Sequence, residues 1–309
     1  MALGAVSTFM FNDQSRADLA RLQRQLVEME AQVSSGHKAS DLQGYGASAA
    51  RILNVQGLMA QTQAHADAAQ QLGARFDAIE TSLQSASDAT ESLRQALLNA
   101  VANDDGSYVS DQLQRTFDAA RSAFNQTFEG ESLFAGERVD AAPIKVDTLA
   151  DLAAAANTGA IYDEGTRSKT IDLGDGNFAV AEKASDVSTG LFDAMRTLKQ
   201  MIDGAGGSLP KPLTAAQKTQ LQGLIDNLGD ARNTIVVAQG RNGDLQNSVE
   251  AQATRLSNQS DTLAKTVSDV ADADLAEVAA RITAVQVQYQ AVAQTYSQLA
   301  HLSLLDYLT

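Results

Sequence analysis

The chain has 309 residues, a formal net charge of -15 and a sequence pI near 4.5. This negative charge argues against nucleic acids and anionic membrane surfaces as partners, because both are polyanions. Only 5% of the residues are aromatic, Pro occurs three times, and Trp and Cys are absent. This composition indicates long helices and excludes disulfides and thiolate metal sites.

An apolar stripe runs along the first predicted helix. Its residues alternate at spacings of three and four, which keeps one narrow face turned toward a partner helix, as in a coiled coil. Gly36 is placed to end this helix, because glycine adopts the left-handed conformation of a helix C-terminus without strain. The stripe consists of Leu19, Leu22, Leu26, Met29 and Val33.

Two further helices are predicted in the N-terminal half. Helical spacing resumes near Ala47 and is regular from Leu72 to Leu97, so the second helix is expected to be very long. The polar turn at 103–106 ends it. A third apolar pattern runs from Leu113 to Phe128, and Gly130 is expected to end that helix.

The pattern changes after Gly136, and we predict a small β-containing insert over residues 137–186. Short alternating runs there indicate strands, and an Asp-Gly pair between two of them is typical of a hairpin turn. The expected strands are Ile144–Val146, Thr170–Leu173 and Phe178–Val180, the hairpin turn is at Asp175-Gly176, and a short helix is expected over Leu149–Ala156.

Helical spacing returns from Leu191 to Ile202 and, after the flexible tract 204–212, continues from Leu221 to Val267. Thr214 is expected to cap the second of these helices. The apolar stripe changes phase near 272–274, so a break is predicted there.

A second apolar stripe follows that break. Asp274, with Glu277 three residues later, has the pattern of a helix N-cap followed by a capping-box acid. The spacings again alternate between three and four, so we expect this stripe to pair with that of the first helix. Its residues are Leu275, Val278, Ile282, Val285, Tyr289, Val292, Tyr296 and Leu299.

These elements predict a mainly α fold, an elongated helical rod or coiled-coil bundle built from both chain halves. Three parts are expected: terminal coiled-coil segments at 1–40 with 270–309, a helical rod at 41–136 with 187–269, and the insert at 137–186. Two paired helices enclose no core, so the terminal segments are predicted to be disordered in the isolated molecule and to order against neighbouring copies. An intramolecular bundle without an assembly role is the alternative on periodicity alone.

Patterns for catalysis or cofactor binding are weak. The three histidines are far apart in sequence, and the glycines at 44–46 do not follow a strand. The acidic turn at 103–107 places its glycine wrongly for a calcium loop. We therefore predict a protein that is not an enzyme and has no catalytic, cofactor or metal site. The N-terminal residues do not form a cleavable signal, and no apolar run is long enough to cross a bilayer.

Several short motifs, in the right order along the chain, resemble the flagellin family. Two departures occur in the loop after the first helix, where His37-Lys38 stands in place of a Lys-Arg pair and Leu42–Tyr45 in place of paired acids. The Gly240 motif resembles the start of the family's long C-terminal helix. The motifs are Val6–Met10, Gln32–Lys38, Asn125–Thr127 with Leu133–Gly136, Gly240–Leu245, Asp272–Glu277 and Leu302–Leu308.

The resemblance is strongest to the subtype found at the junction between hook and filament. It implies an extracellular, structural component of the bacterial flagellum, exported by the flagellar type III apparatus without a cleaved signal peptide. The implied partners are copies of the same chain in a ring, the first hook-associated protein on the hook side, flagellin on the filament side, and an export chaperone. The alternatives are a filament flagellin and, from another class, a soluble Ala-rich helical scaffold or granule-coating protein.

Overall fold

The computed structural model describes residues 2–174, 176–179 and 182–305, and within this range the fold is mainly helical with few, short strands. The predicted fold class, long helices with a small β insert, is confirmed. The chain divides into two compact units. The paired-helix unit is Met1–Thr62 with Asn258–Thr309, and the core unit is Gln63–Ser257. The predicted three-part division at 1–40 with 270–309, 41–136 with 187–269, and 137–186 stays a prediction.

The helices are longer than in an average globular domain, with α2 and α6 each exceeding 50 residues. A 3₁₀ turn at Gln43–Ser48 precedes α2. The described α-helices are α1 Ala2–Ser35, α2 Ala49–Asn103, α3 Val109–Phe124, α4 Leu149–Ala154, α5 Ala184–Gly204, α6 Ala215–Ala271 and α7 Leu275–Leu305.

Three predicted helix ends are confirmed by their hydrogen bonds or backbone angles. Gly36 follows the last residue of α1 with φ +74°. At the start of α6, Thr214 N–H donates to Gln217 Oε1 at 2.9 Å, and Gln217 N–H donates to Thr214 Oγ1 at 3.2 Å. Asp274 Oδ1 accepts the N–H groups of Ala276 and Glu277 at the start of α7. The Thr214 and Asp274 side chains accept hydrogen bonds from amides that the helix itself leaves unbonded.

The end of α3 differs from the prediction. The helix ends at Phe124, and Thr127–Phe128 (β1) pairs antiparallel with Glu131–Ser132 (β2). Between the two strands, Glu129 and Gly130 have φ +52° and +84°, which an α-helix cannot accommodate. The helical spacing of apolar residues continues to Phe128, but the backbone angles at Glu129 and Gly130 form a turn there instead of a helix.

The prediction of a strand at Ile144–Val146 is wrong, because Ile144 makes only an isolated bridge with Tyr162. The Asn125 side chain accepts the N–H of Ile144 at 2.8 Å and donates to its carbonyl at 2.9 Å. Both backbone groups of Ile144 are thus satisfied by one amide side chain, and no neighbouring strand is needed.

The other predicted pieces of the insert are present. Thr170–Asp172 (β3) pairs antiparallel with Asn177–Ala179 (β4), with Ile171 opposite Phe178. The predicted turn residue Asp175 and the strand residue Val180 lie outside the described residues. The short helix is α4, and Thr148 caps it through a reciprocal capping box with Asp151.

An aromatic cluster lies at the centre of the core unit. The Phe192 ring on α5 lies 6.3 Å from Phe117, 6.4 Å from Phe124 and 6.4 Å from Tyr162, measured between ring centroids. Phe124 also meets Phe134 edge-on at 5.3 Å. All four phenylalanines are at most 1% exposed, so α3, α5 and the loop before the insert share one dry core.

Candidate assembly surface

The α1 and α7 helices pack along one another in the paired-helix unit. The apolar seam, by which we mean the two predicted stripes together, lies between them only in part. Leu22, Met29 and Val278 are buried, with 5%, 9% and 6% of their surface exposed. The seam residues that remain half-buried are Leu19, Leu26, Ile282, Val285, Tyr289, Val292 and Tyr296.

Both stripes also contain exposed members. Val33 is 45% exposed and Leu275 is 49% exposed, although both have the spacing of buried seam positions. The side chain of Leu299 lies outside the described residues. Two helices can cover only the facing strip of each other, so side chains at the edges of the seam keep contact with water.

Apolar side chains outside the predicted stripes are exposed as well. Val27 on α1 and Val287 on α7 are each 62% exposed. The three-and-four spacing assigns them to no stripe, so sequence reasoning missed them. From Ile282 to Leu305, α7 contains no Asp, Glu, Lys or Arg. Ion pairs with Asp, Glu, Lys or Arg of this stretch are therefore excluded, and apolar contacts and neutral hydrogen bonds are what it offers a partner.

Where α1 ends and α7 begins, two turns are joined by backbone hydrogen bonds. We call this arrangement of residues 36–38 and 271–273 the clasp. Lys38 N–H donates to the carbonyl of Ala271 at 2.8 Å, and Ala273 N–H donates to the carbonyl of Gly36 at 2.8 Å. The clasp fixes the end of α1 against the break between α6 and α7.

Side chains complete the clasp. His37 Nδ1 lies 2.9 Å from Asp272 Oδ1, and Lys38 Nζ donates to the carbonyl of Val270 at 2.9 Å. The Ser268 hydroxyl donates to the Asp272 carboxylate, and this bond, followed by the His37 bond, holds the pKa of Asp272 below its ordinary value. Lys38 thereby satisfies carbonyls at the C-terminal end of α6, where a cation is also favoured by the helix dipole.

Tyr45 adds a further link that the sequence did not suggest. Its hydroxyl lies 3.1 Å from the carbonyl of Ala39 and 3.4 Å from that of Ala271. On the sequence alone, His37-Lys38 and Leu42–Tyr45 were considered in relation to a family motif, and no contact partner was predicted for them. Their partners near 271 lie more than 220 positions away in the chain, so no local signal marks them.

The motifs are distributed unevenly over these elements. Gly240–Leu245 lies in the interior of α6, which begins at Ala215, and not at the start of a helix as predicted. Val6–Met10 lies in α1, and Leu302–Leu308 continues past the last described residue. In the described part of the chain, no group of three or more metal-ligating side chains comes together, and no helix has an apolar stretch long enough to span a membrane.

Comparison with known families bears on the C-terminal part of the chain. Residues 225–308 match the family model described as the bacterial flagellin C-terminal helical region. Residues 225–308 thus resemble the flagellin C-terminal region, and we call them the flagellin-type region. The resemblance to the flagellin family drawn from the short motifs is confirmed. The flagellin-type region includes most of α6 and all of α7 with its stripe of the apolar seam. No curated protein matches the chain in sequence.

Two solved structures share the fold. A Vibrio parahaemolyticus protein described as a flagellar hook-associated protein is 16% identical and superposes with a TM-score of 0.59, covering 72% of this chain and 97% of that one. Bacillus cereus FlgL is 13% identical with a TM-score of 0.51, covering 65% of this chain and 98% of the other. At these identities the likeness concerns the fold alone.

Proposed function

We propose that this protein is a structural component of the bacterial flagellum that acts at the hook–filament junction, without enzymatic activity. One observation carries the proposal: the flagellin-type α7 pairs with α1, yet most of their apolar seam keeps contact with water. A seam of this kind is completed when neighbouring helices cover it. The structural likeness to a flagellar hook-associated protein and to FlgL supports a location at the hook–filament junction over other positions in the flagellum.

The proposed mechanism is assembly by burial. Each Leu, Ile or Val that passes from exposed to buried contributes roughly 1.5 to 3 kcal/mol to the free energy of assembly. The half-buried seam residues would contribute part of that amount when neighbouring helices cover them. The uncharged stretch from Ile282 to Leu305 adds no desolvation cost for charges. Copies of this chain in a ring are the proposed partners, with the first hook-associated protein on one side and flagellin on the other.

Export and location follow from the same proposal. The chain would leave the cell through the flagellar type III apparatus without a cleaved signal peptide, escorted by an export chaperone. In this proposal the terminal segments would be disordered before assembly and would order only where partner helices are present, which would confine assembly to the growing flagellum.

A charge placed in the apolar seam tests the proposal directly. Ile282 is half-buried in the pair, so Ile282→Asp is expected to leave the core unit folded and to abolish incorporation, because an unpaired carboxylate cannot be buried between helices. Leu26→Asp on α1 is expected to behave in the same way. Circular dichroism of the purified variants and microscopy of cells that carry them measure the two effects.

Gln294→Glu is the matched control, since it adds one charge to α7 at an exposed position outside the seam. Normal incorporation of this variant beside failure of Ile282→Asp would assign the effect to the seam. Normal joining of hook to filament by both seam variants would overturn the proposal.

Two experiments separate the competing functions. A filament flagellin should extend alone into long fibres, whereas a junction protein should not. A soluble scaffold with a closed bundle should resist proteolysis at α1 and α7, whereas the proposed adaptor should be trimmed to a fragment near Asp41–Asp269.

Deletion of the gene tests the role in the cell. It is expected to leave intact hooks that lack filaments, with flagellin released into the medium.

A further inference from the structure

Two unbroken stripes line the inward faces of α2 and α6 in the core unit, and all their residues are buried except Leu245, which is partly buried. Along both helices the spacings alternate between three and four, and nearly every member is apolar. The α2 stripe is Ala69, Leu72, Phe76, Ile79, Leu83, Ala86, Thr90, Leu93, Leu97 and Ala100. The α6 stripe is Leu228, Ala231, Ile235, Ala238, Asn242, Leu245, Val249, Gln252 and Leu256.

Such stripes do not determine their own alignment. A shift of one helix by seven residues, roughly 10 Å, again places apolar side chains against apolar side chains. Burial of the two stripes therefore favours several alignments of α2 and α6 to a similar degree. Another interaction must select the observed one.

Asn242 is the polar residue of the α6 stripe that bonds directly to α2. Its side chain is 4% exposed, and Nδ2 donates to the carbonyl of Phe76 at 3.0 Å and to Glu80 Oε2 at 3.3 Å. The buried Thr90 hydroxyl bonds Ala86 within its own helix at 2.7 Å, and Gln252 Nε2 donates to Leu173 in the insert at 3.4 Å. Neither bond depends on how α2 and α6 are aligned.

Glu80 is shared by two amides of α6. Besides Asn242, it accepts from Gln239 Nε2 at 2.8 Å, and Gln239 also reaches Gln84 at 3.0 Å. One turn further along, Gln246 donates to Asp77. From Gln239 to Gln246 the residue numbers on α6 increase, while those of the bonded partners on α2 decrease from Gln84 to Asp77. The two helices therefore run antiparallel. The positions seven residues from Glu80 are Gly73 and Ser87, and neither offers a carboxylate.

We infer that Asn242 and Glu80 form a register lock that holds α2 and α6 in a single alignment. In a shifted alignment the buried Asn242 amide could still reach a backbone carbonyl of α2 but would lose its carboxylate acceptor, and hydrogen bonds to charged groups contribute more to stability than those between neutral groups. A single buried Asn is known to select the alignment of coiled-coil helices in this way. This inference concerns the core unit alone and does not rest on the proposed function.

An exposed turn offers a competing explanation for the alignment. At the end of α2, Asp104 accepts the N–H of Leu213 at 2.9 Å and pairs with Lys218 at 2.8 Å, just before and within the first turn of α6. Both side chains of the ion pair are more than a third exposed, so solvent screens it. An experiment must compare the turn with the buried lock.

The absence of native cysteine allows the alignment to be measured by cross-linking. Asp77→Cys with Gln246→Cys reports the observed alignment. Gln84→Cys or Gln70→Cys, each with Gln246→Cys, reports a shift of seven residues in either direction. A short bis-maleimide reagent is applied to the purified full chain in each background, and the yields are compared on denaturing gels.

The lock predicts that only the 77/246 pair cross-links in the otherwise native chain. Asn242→Leu should keep its helix content by circular dichroism and raise the yield of a shifted pair at least about fivefold, because no polar side chain of the α6 stripe then bonds to α2 in the observed alignment. Glu80→Ala, a change at a half-buried surface position, should raise the same yield. It tests the lock independently if Asn242→Leu fails to fold. Thr90→Val is the matched control and should give the 77/246 product alone.

Two results would overturn the lock. One is exclusive cross-linking of the 77/246 pair in both Asn242→Leu and Glu80→Ala. The other is the appearance of shifted pairs in Asp104→Ala but in neither lock variant, which would assign the alignment to the exposed turn.

Discussion

The two units of this protein use similar helical patterns and bury them to different depths. In the core unit, the apolar side chains of α2, α3, α5 and α6 form one continuous core that also includes residues of the insert. In the paired-helix unit, only Leu22, Met29, Ile52, Ala271 and Val278 are buried among the described hydrophobic residues. The same spacing of three and four therefore encodes both a finished core and an unfinished one.

The difference arises from the number of faces that surround each stripe. Phe192 is enclosed by side chains from α3 and from the insert, whereas the α1 and α7 stripes face mainly each other in the described part of the chain. A side chain must be surrounded on all sides to lose its contact with water. Substitutions in the two units should consequently differ in size, and the largest effects should fall in the core unit.

Phe192→Ala should cause the largest loss of stability. The ring is completely buried and contacts three other aromatic rings, so its removal leaves a cavity and should cost about 3 to 5 kcal/mol in the free energy of unfolding. Urea unfolding followed by circular dichroism measures the loss. Val287→Ala on α7, where the side chain is 62% exposed, should change the same quantity by less than about 0.5 kcal/mol. Equal losses for the two variants would contradict the comparison.

Gly136→Ala should have the next largest effect. The residue has φ +62°, and an added Cβ would lie 2.5 Å from the carbonyl oxygen of Arg167, which also accepts the N–H of Glu137. Backbone strain and the close contact together should cost about 2 kcal/mol or more. Thermal unfolding provides the measurement.

Gly229→Ala supplies the opposite control. This glycine lies within α6 and has open space where a Cβ would stand. Alanine should therefore raise the thermal unfolding midpoint, because its better helix propensity contributes about 1 kcal/mol at most to stability. A destabilised Gly229→Ala would mean that crowding at Gly136 is not what separates the two sites.

A smaller, pH-dependent effect is expected at Glu131 in β2. Lys169 Nζ donates to both carboxylate oxygens at 2.6 and 2.8 Å, and this bonding, with the charges of Lys169 and the nearly buried Arg75, lowers the pKa of Glu131 below its ordinary value of 4.5. The resulting stabilisation is present above pH 4.5 and is lost as the pH falls through the lowered pKa.

Glu131→Gln removes this titration. Its urea midpoint should therefore fall less than that of the parent chain between about pH 6 and about pH 3. Asp118→Asn on the exposed face of α3 is the control and should leave the pH dependence of the parent. Parallel pH profiles for the parent and Glu131→Gln would show that the Glu131 pairs do not stabilise the fold.

The smallest effect should come from the clasp in the paired-helix unit. Asp272→Ala removes the acceptor of His37 and Ser268 at the surface, and exposed pairs of this kind contribute little. The amides of Lys38 and Ala273 should exchange with solvent about threefold faster. Asp269→Ala should leave exchange unchanged, because Asp269 serves the clasp through its backbone carbonyl. Faster exchange in both variants would point to general fraying.

Periodicity and capping residues determined most of the helices. The stripes of α1, α2, α6 and α7, the glycine after α1, and the caps at Thr214 and Asp274 were all readable, because a helix is specified by residues three and four positions apart. The apolar seam of the candidate surface was predicted from the same local signal. Its role in assembly stays a prediction.

Contacts between distant residues decided the rest. The Asn125 side chain occupies both backbone groups of Ile144, the clasp joins residues more than 230 positions apart, and the Asn242–Glu80 bonds link two helices across the core unit. Local spacing is silent about such partners. It also cannot tell a stripe that other helices will enclose from one left half-covered, because burial depends on how many neighbours the folded chain brings to each face.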